Sequence, residues 1–195
     1  GGMNKTALIV GITGQDGSLL GKYLLSKGYK VYGATRDSST CNKSRLNTLN
    51  ITGDIEFISL APNDFRSVLK VIDYCQPNEI YYLAGLTSVG LSFEQPVECT
   101  ESISGGTLNF LEAIKFLNKK IKFFNAGSSE CFGNTNKIAA NELTAFSPRS
   151  PYATAKSTAF WQVANYREAY NLSCCTGILG NHESPLRANH FVTQK

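Results

Sequence analysis

Three short clusters have the residue types and spacing that chemistry requires. The first is Gly11-Ile12-Thr13-Gly14-Gln15-Asp16-Gly17, set between an apolar run of strand length and a helical pattern. Glycines there permit a tight turn and let main-chain N–H groups approach a pyrophosphate, while the start of the following helix favours an anion. Gly11, Thr13, Gly14, Gln15, Asp16 and Gly17 are therefore candidate contacts to a dinucleotide, in a G-x-x-G-x-x-G spacing. The second cluster, Thr35-Arg36-Asp37-Ser38-Ser39, follows the next apolar run. An acidic residue about 20 positions beyond the glycines commonly accepts from the ribose 2′-hydroxyl of NAD, whereas an arginine suits the 2′-phosphate of NADP. Here both stand side by side: Arg36, with Ser38 and Ser39 as further donors, argues for NADP, and Asp37 argues against it.

The third cluster is Tyr152-Ala153-Thr154-Ala155-Lys156, in a helical pattern that starts near Pro151. At i and i+4 the two polar side chains face the same way, so the ammonium can lower the phenol's pKa and hold a cofactor ribose. Such a phenol can take a proton from a substrate hydroxyl while hydride leaves the same carbon. Ala126-Gly127-Ser128-Ser129-Glu130 adds to it, at the carboxyl end of another apolar run. Ligands of open α/β sheets gather at strand carboxyl ends, so Ser128 can donate to a substrate oxygen and Glu130 can serve as a separate acid or base.

These residues must be positioned by alternating strands and helices, the pattern of βαβ units and a parallel sheet. The strand-length runs are Thr6 to Val10, Lys30 to Ala34, Ile55 to Ser59, Glu79 to Leu83, Lys122 to Ala126 and Ser173 to Leu179. Helical periodicity predicts Ser18 to Lys27 closed by Gly28, a helix capped by Asp64 that runs to about Tyr74 before Gln76-Pro77, one from about Val97 to Leu117, and one from Pro151 to about Tyr170. The expected fold class is α/β, a doubly wound parallel sheet, in one domain over residues 3–195 with no internal repeat or linker.

Composition narrows the function classes. The chain has 195 residues, 42% of them hydrophobic and 17% charged, with 19 Lys plus Arg against 15 Asp plus Glu. That size supports a packed core without disulfides or metals. The excess of +4 is spread out, with no basic run longer than Lys119-Lys120, so a nucleic-acid partner is not expected, and the charge leaves room for an anionic small molecule. No apolar stretch approaches the ~18 residues of a membrane helix, no membrane partner is expected, and the protein is read as cytoplasmic. The cysteines Cys41, Cys75, Cys99, Cys131, Cys174 and Cys175 form no Cys-x-x-Cys pair, and the histidines offer no zinc spacing. Reduced thiols acting as small apolar fillers, and no metal site, are the expectation.

Together the glycine loop, the strand-end serine and Tyr152-x-x-x-Lys156 resemble the extended short-chain dehydrogenase/reductases that act on nucleotide sugars. Within them the chain resembles the GDP-mannose 4,6-dehydratase family. Gly11 to Ser18, Arg149-Ser150-Pro151-Tyr152-Ala153, Asn165 to Leu172, Asn181-His182-Glu183-Ser184-Pro185 and Phe191-Val192-Thr193 carry that likeness over almost the whole chain.

The resemblance implies a Rossmann fold, an NADP cofactor, a homo-oligomer and a nucleotide-sugar substrate. In its mechanism Tyr152, assisted by Ser128 and Lys156, deprotonates the hexose 4-hydroxyl as hydride leaves C4, Glu130 removes the C5 proton so that water departs from C6, and the hydride then returns to C6 to give a 4-keto-6-deoxy sugar nucleotide. It further implies cofactor contacts from Leu83, Ala84, His182 and Arg187, and substrate contacts from Thr87, Ser128 and Asn181. It also implies a smaller C-terminal substrate lobe, which is largely absent here, since the chain reaches Lys195 where that lobe is expected to begin. Several positions depart from the family pattern: Ser128 replaces a threonine, Leu60-Ala61 a Gly-Asp pair that meets adenine, Leu86-Thr87-Ser88 a Gln-Ser-His run, Glu98 a tyrosine, and Ile103 an Asp or Asn. A sugar-nucleotide epimerase or reductase would use Ser128, Tyr152 and Lys156 without Glu130 as a base. A non-catalytic paralogue would retain a dinucleotide, to which Tyr152 and Lys156 are also candidate contacts, without turning over sugar.

Overall fold

The chain was analysed as a computed structural model that describes residues 4–83, 89–127 and 149–177. Its central strand is the first. In β1 (Thr6–Val10), Leu8 and Val10 enter one buried cluster while Ala7 and Ile9 enter another on the opposite face. A strand buried on both faces needs neighbours on both edges and helices above and below. It has them: β2 (Lys30–Thr35), β3 (Ile55–Ser59), β4 (Glu79–Tyr82), β5 (Lys122–Ala126) and β6 (Cys174–Gly177) complete a six-stranded sheet in the order β3-β2-β1-β4-β5-β6. All pairings are parallel, with Val10 beside Ala34 on one side and Tyr82 on the other. The doubly wound sheet expected from the sequence is thus the fold observed. Its strand order reverses between β1 and β4, which opens a crevice at their carboxyl ends.

The helices cover both faces. Leu20 and Leu24 of α1 (Gln15–Ser26) and Leu46 of α2 (Ser44–Thr48) pack with Ile9, Ile12, Val31 and Phe124. Val68 and Ile72 of α3 (Phe65–Cys75), Phe110 and Ile114 of α6 (Gly106–Leu117), and Val163 of α7 (Pro151–Tyr170) pack on the other face with Leu8, Tyr82 and Phe123. Local signals set the ends of these helices. The Asp64 carboxylate accepts from the Arg66 N–H at 3.0 Å, and Ser150 Oγ accepts from the Ala153 N–H at 3.0 Å, with Pro151 in the first turn.

Three expectations need correction. The first helix starts at Gln15, a turn before Ser18, because Gly14 is already its extended N-cap; Lys27 is the C-cap and Gly28 follows it. The short α2 and α4 (Val89–Glu94) are elements the periodicity did not indicate, since each is too brief to show a repeat. Lastly, the helix expected over Val97 to Leu117 is α5 (Pro96–Thr100), a π-helical turn at Glu101–Gly105, and then α6. The Tyr82 hydroxyl donates to the Ser102 carbonyl inside that turn, and a Cβ on Gly106 would lie 2.0 Å from the same hydroxyl. A side chain inserted into the helical ladder forces the wider turn.

At the amino ends of the strands the buried Glu79 accepts from the hydroxyls of Tyr29 at 2.9 Å and Tyr81 at 2.7 Å, with Lys5 at 3.8 Å. Burial first, and then Glu79, pushes the Tyr29 phenol up to about 12. The described cysteines are free thiols; Cys75, Cys99 and Cys174 are buried, as fillers should be, while Cys131 lies outside the described residues. Among the described residues no helix is long and apolar enough to cross a membrane.

Candidate functional site

The glycine loop joins β1 to α1 at the crevice. Gly11 has φ 97°, and its N–H donates to the Ala34 carbonyl at 3.1 Å, which fastens the loop to β2. The Gly14 N–H returns to the Gly11 carbonyl at 3.2 Å. A Cβ on Gly17 would stand 2.0 Å from the Gly11 carbonyl oxygen, so only glycine lets α1 begin this close to the turn. No side chain caps α1, and the N–H groups of Gln15, Asp16 and Gly17 form its open, electropositive end.

The loop after β2 carries both Arg36 and Asp37 on its exposed side. The Asp37 carboxylate accepts from both the Ser39 N–H (2.9 Å) and the Ser39 hydroxyl (2.6 Å), and these bonds hold it below its ordinary pKa. Ser59 Oγ accepts from the Ser38 N–H at 2.9 Å and donates to the Ser38 hydroxyl oxygen at 3.0 Å. Ser38 and Ser39 thus also brace the loop's own turn, and Arg36 is exposed and lines the crevice. Arg45, which sequence reasoning did not assign to this site, donates from Nη1 to the Thr13 carbonyl at 3.4 Å and braces the glycine loop from α2. A cavity of about 280 Å³ lies between these parts, lined by Gly11, Thr13, Thr35, Arg36, Leu60 and Ser102 among others. The Thr35 hydroxyl there is screened from solvent and has no hydrogen-bond partner.

The Tyr152 and Lys156 pair stands on the other side of the switch point. Lys156 is 1% exposed, and its Nζ donates to the Ala126 carbonyl at 2.7 Å, tying α7 to the carboxyl end of β5. An ammonium this deeply buried requires such partners. The same Nζ lies 6.0 Å from the centre of the Tyr152 ring, so the i, i+4 expectation holds in space. Tyr152 is itself buried in a small cluster with Cys99, Ile103, Ala155 and Ala159. Ile103, one of the departures from the family pattern, thus packs beside the tyrosine, whereas Glu98 is exposed. Leu83 is buried at the end of β4, where its N–H donates to the Val10 carbonyl at 2.9 Å. Ala84, Thr87, Ser128, Glu130, Asn181, His182 and Arg187 lie outside the described residues.

A larger cavity of about 590 Å³ sits at the opposite, amino-terminal edge of the sheet, lined by Lys5, Lys119, Lys120 and Lys122. It adjoins Asn118 and Asn171, the C-caps of α6 and α7, where lysines complement the negative ends of the helices. The carboxyl-terminal crevice, with its open helix N-terminus and buried Tyr/Lys pair, is the site that chemistry favours.

A family model described as GDP-mannose 4,6 dehydratase matches residues 8–195. The chain is 47% identical over 201 residues to GDP-mannose 4,6 dehydratase 2 of Caenorhabditis elegans, covering 98% of this chain and 52% of that protein. It therefore spans about half the length of such a relative. Among solved structures it resembles UDP-glucose 4-epimerase from Brucella ovis in complex with NAD (TM-score 0.76, 24% identity, 91% of this chain and 52% of that one). It also resembles dTDP-glucose 4,6-dehydratase from Streptomyces venezuelae with NAD bound (TM-score 0.75, 19% identity, 88% of this chain and 54% of that one). At those identities the two structures speak for the fold alone, and an epimerase and a dehydratase share it equally.

Proposed function

The chain belongs to the GDP-mannose 4,6-dehydratase family, and from that premise we propose that it is the dinucleotide-binding and catalytic part of a nucleotide-sugar 4,6-dehydratase, a hydro-lyase that converts GDP-mannose to GDP-4-keto-6-deoxy-mannose. Residues 3–195 form that part, and the remaining half of the relatives' length supplies the rest of the substrate site. The observation that carries the reading is the Lys156 to Ala126 bond of 2.7 Å, which seats the Tyr152 pair at the end of β5, across the switch point from an uncapped helix N-terminus.

The residues present fit a nicotinamide dinucleotide. Gly17 keeps α1 close under the loop, the N–H groups of the first turn are open to a pyrophosphate, and Thr35 Oγ1 is a buried hydroxyl in need of a partner. When bound, the nicotinamide supplies reversible hydride acceptance at the sugar carbon. We read the cofactor as NADP, because Asp37 is turned to Ser39 while Arg36 is exposed to meet a 2′-phosphate.

In the reaction the Tyr152 phenolate takes the proton of the C4 hydroxyl, with Lys156 nearby to favour the charged phenol and Ser128 to orient the hydroxyl. Oxidation at C4 acidifies the C5 proton. Glu130 removes it and delivers a proton to the departing C6 hydroxyl, so that water leaves across C5 and C6; the hydride taken from C4 then returns to C6 and a proton to C5, which gives the 4-keto-6-deoxy product. The roles of Ser128 and Glu130 rest on the family resemblance, as do the substrate contacts of Thr87 and Asn181, the cofactor contacts of Ala84, His182 and Arg187, and homo-oligomer formation. A cytoplasmic setting is supported by the free thiols of the described cysteines.

The test is product formation from GDP-mannose with NADP in the whole protein, followed by Glu130→Gln. A 4-keto product that disappears in the variant is expected. Water elimination at the parent rate in the variant refutes the dehydratase reading, and C4 epimerisation in its place selects the epimerase.

A further inference from the structure

We propose that Tyr82 is a positioning residue for the reaction: its hydroxyl holds open the π-turn at Glu101–Gly105, and that turn seats Ile103 against Tyr152. This rests on the reading of Tyr152 as the base and adds to it what keeps the ring in place.

In an α-helix the Ser102 carbonyl would accept from the Gly106 N–H. Here the Gly106 N–H reaches the Glu101 and Ile103 carbonyls instead, and the Tyr82 hydroxyl donates to the Ser102 carbonyl. Tyr82 is fully buried, and burial pushes its phenol above the ordinary range, so it stays protonated and donates. Its ring is held by Phe110 and Phe123, with centroids 5.2 and 6.3 Å away, and Gly106 has no Cβ to obstruct the hydroxyl. Single wide turns of this kind within helices recur at functional sites.

The residue after Ser102 reaches the catalytic tyrosine. Ile103 is buried in one cluster with Cys99, Tyr152, Ala155 and Ala159. Ala155 and Ala159 lie on α7 with Tyr152, so within that cluster the contacts from another element come from Cys99 and Ile103, of which Ile103 is the bulkier. The Ile103 carbonyl accepts from the buried Thr107 hydroxyl at 2.8 Å, which fixes it from the side of α6. One anchor of α7 is therefore the Lys156 bond to Ala126, and the other is Ile103, which leads back to Tyr82. Close packing passes a displacement of the turn on to the ring, and misplacing a catalytic group by about 1 Å can cost about 100-fold in rate.

Steady-state kinetics of the whole protein with GDP-mannose and NADP, for Tyr82→Phe, Ile103→Ala and the double variant, test this. Tyr82→Phe keeps the ring and loses only the donor. It should lower kcat at least about tenfold, with KM for GDP-mannose and the calorimetric Kd for NADP within about threefold of the parent. Ile103→Ala should do the same, and the double variant should be no slower than the slower single, within about threefold, because both act on one path. Ile72→Val, a deletion in α3 within the same apolar cluster as Tyr82, controls for lost stability and should keep the parent kcat. Parent kcat in Tyr82→Phe or Ile103→Ala, multiplied losses in the double variant, an equal loss in Ile72→Val, or a Kd for NADP that rises in step with the fall in kcat overturns the proposal. If Tyr82→Phe does not fold, Ile103→Ala decides alone. A parent protein that forms no 4-keto product refutes the dehydratase reading instead, and this inference with it.

Discussion

Gly17→Ala should separate a packing glycine from a ligand glycine within one motif. The new Cβ would lie 2.0 Å from the Gly11 carbonyl oxygen, 2.8 Å from its carbon and 3.0 Å from Ile12 Cα, all main-chain atoms that cannot swing aside. The closest approach is about 1.4 Å inside ordinary contact. Overpacking of this kind costs about 3 kcal/mol, the upper part of its usual range, because α1 as a whole must move away from β1. For a domain of this size each kcal/mol lowers Tm by roughly 2–4 °C, so a fall of about 6–12 °C is expected. At Gly14 the nearest atom to a new Cβ is the Gly11 oxygen at 3.5 Å, and the backbone is ordinary extended chain. There the poorer N-cap and the stiffer unfolded chain nearly cancel, and Gly14→Ala should change stability by less than about 1 kcal/mol. Thermal unfolding followed by far-ultraviolet circular dichroism gives both values, and calorimetric titration with NADP should show binding weakened at least about tenfold in Gly17→Ala as its phosphate donors move. A Gly17→Ala protein that melts within about 2 °C of the parent, or no lower than Gly14→Ala, refutes the close-approach argument.

Arg36→Ala should weaken NADP by about 10- to 100-fold, the worth of a charged hydrogen bond, and leave NAD within about threefold; equal losses for both cofactors in a binding titration would remove Arg36 from the 2′-phosphate. Tyr152→Phe in the whole protein should cut turnover by about 10²- to 10⁴-fold with dinucleotide affinity retained, and steady-state rates near the parent value would exclude Tyr152 as the base. The Tyr29 phenol stays protonated up to about 12 in the fold against 10.0 ordinarily, so the native state holds more protons between those values. Its stabilising contribution is full below about pH 10 and lost as pH rises toward about 12. Glu79→Gln should shrink that alkaline loss by removing the Glu79 part of the shift while burial keeps the rest, and denaturant melts across that pH range with an unchanged slope would contradict it.

Much of this site was legible before any coordinates. The glycine motif, the Ser150-Pro151 start of α7 and the Tyr152/Lys156 pair depend on neighbours within about one helical turn, and there local rules suffice. The Asp37 to Ser39 turn was equally local and could have been read from the Asp-Ser-Ser run, because aspartate side chains habitually bond the chain two residues on.

Other features were set by partners far along the chain. Tyr82 is 20 residues from the Ser102 carbonyl that its hydroxyl reaches, and nothing in the helical periodicity of 97–117 could announce the π-turn it imposes. Arg45 meets Thr13 across 32 residues, and Lys156 meets Ala126 across 30. The pattern of apolar runs by itself determined that there would be a parallel sheet with helices on both faces, since period and capping are properties of adjacent residues. Only the tertiary structure decided that β1 and β4 would be neighbours, that a buried lysine would be held at the end of β5, and that Leu60 would face the cavity beside the glycine loop. Those outcomes depend on how whole elements pack, and packing is a balance of contacts that no short window of sequence contains.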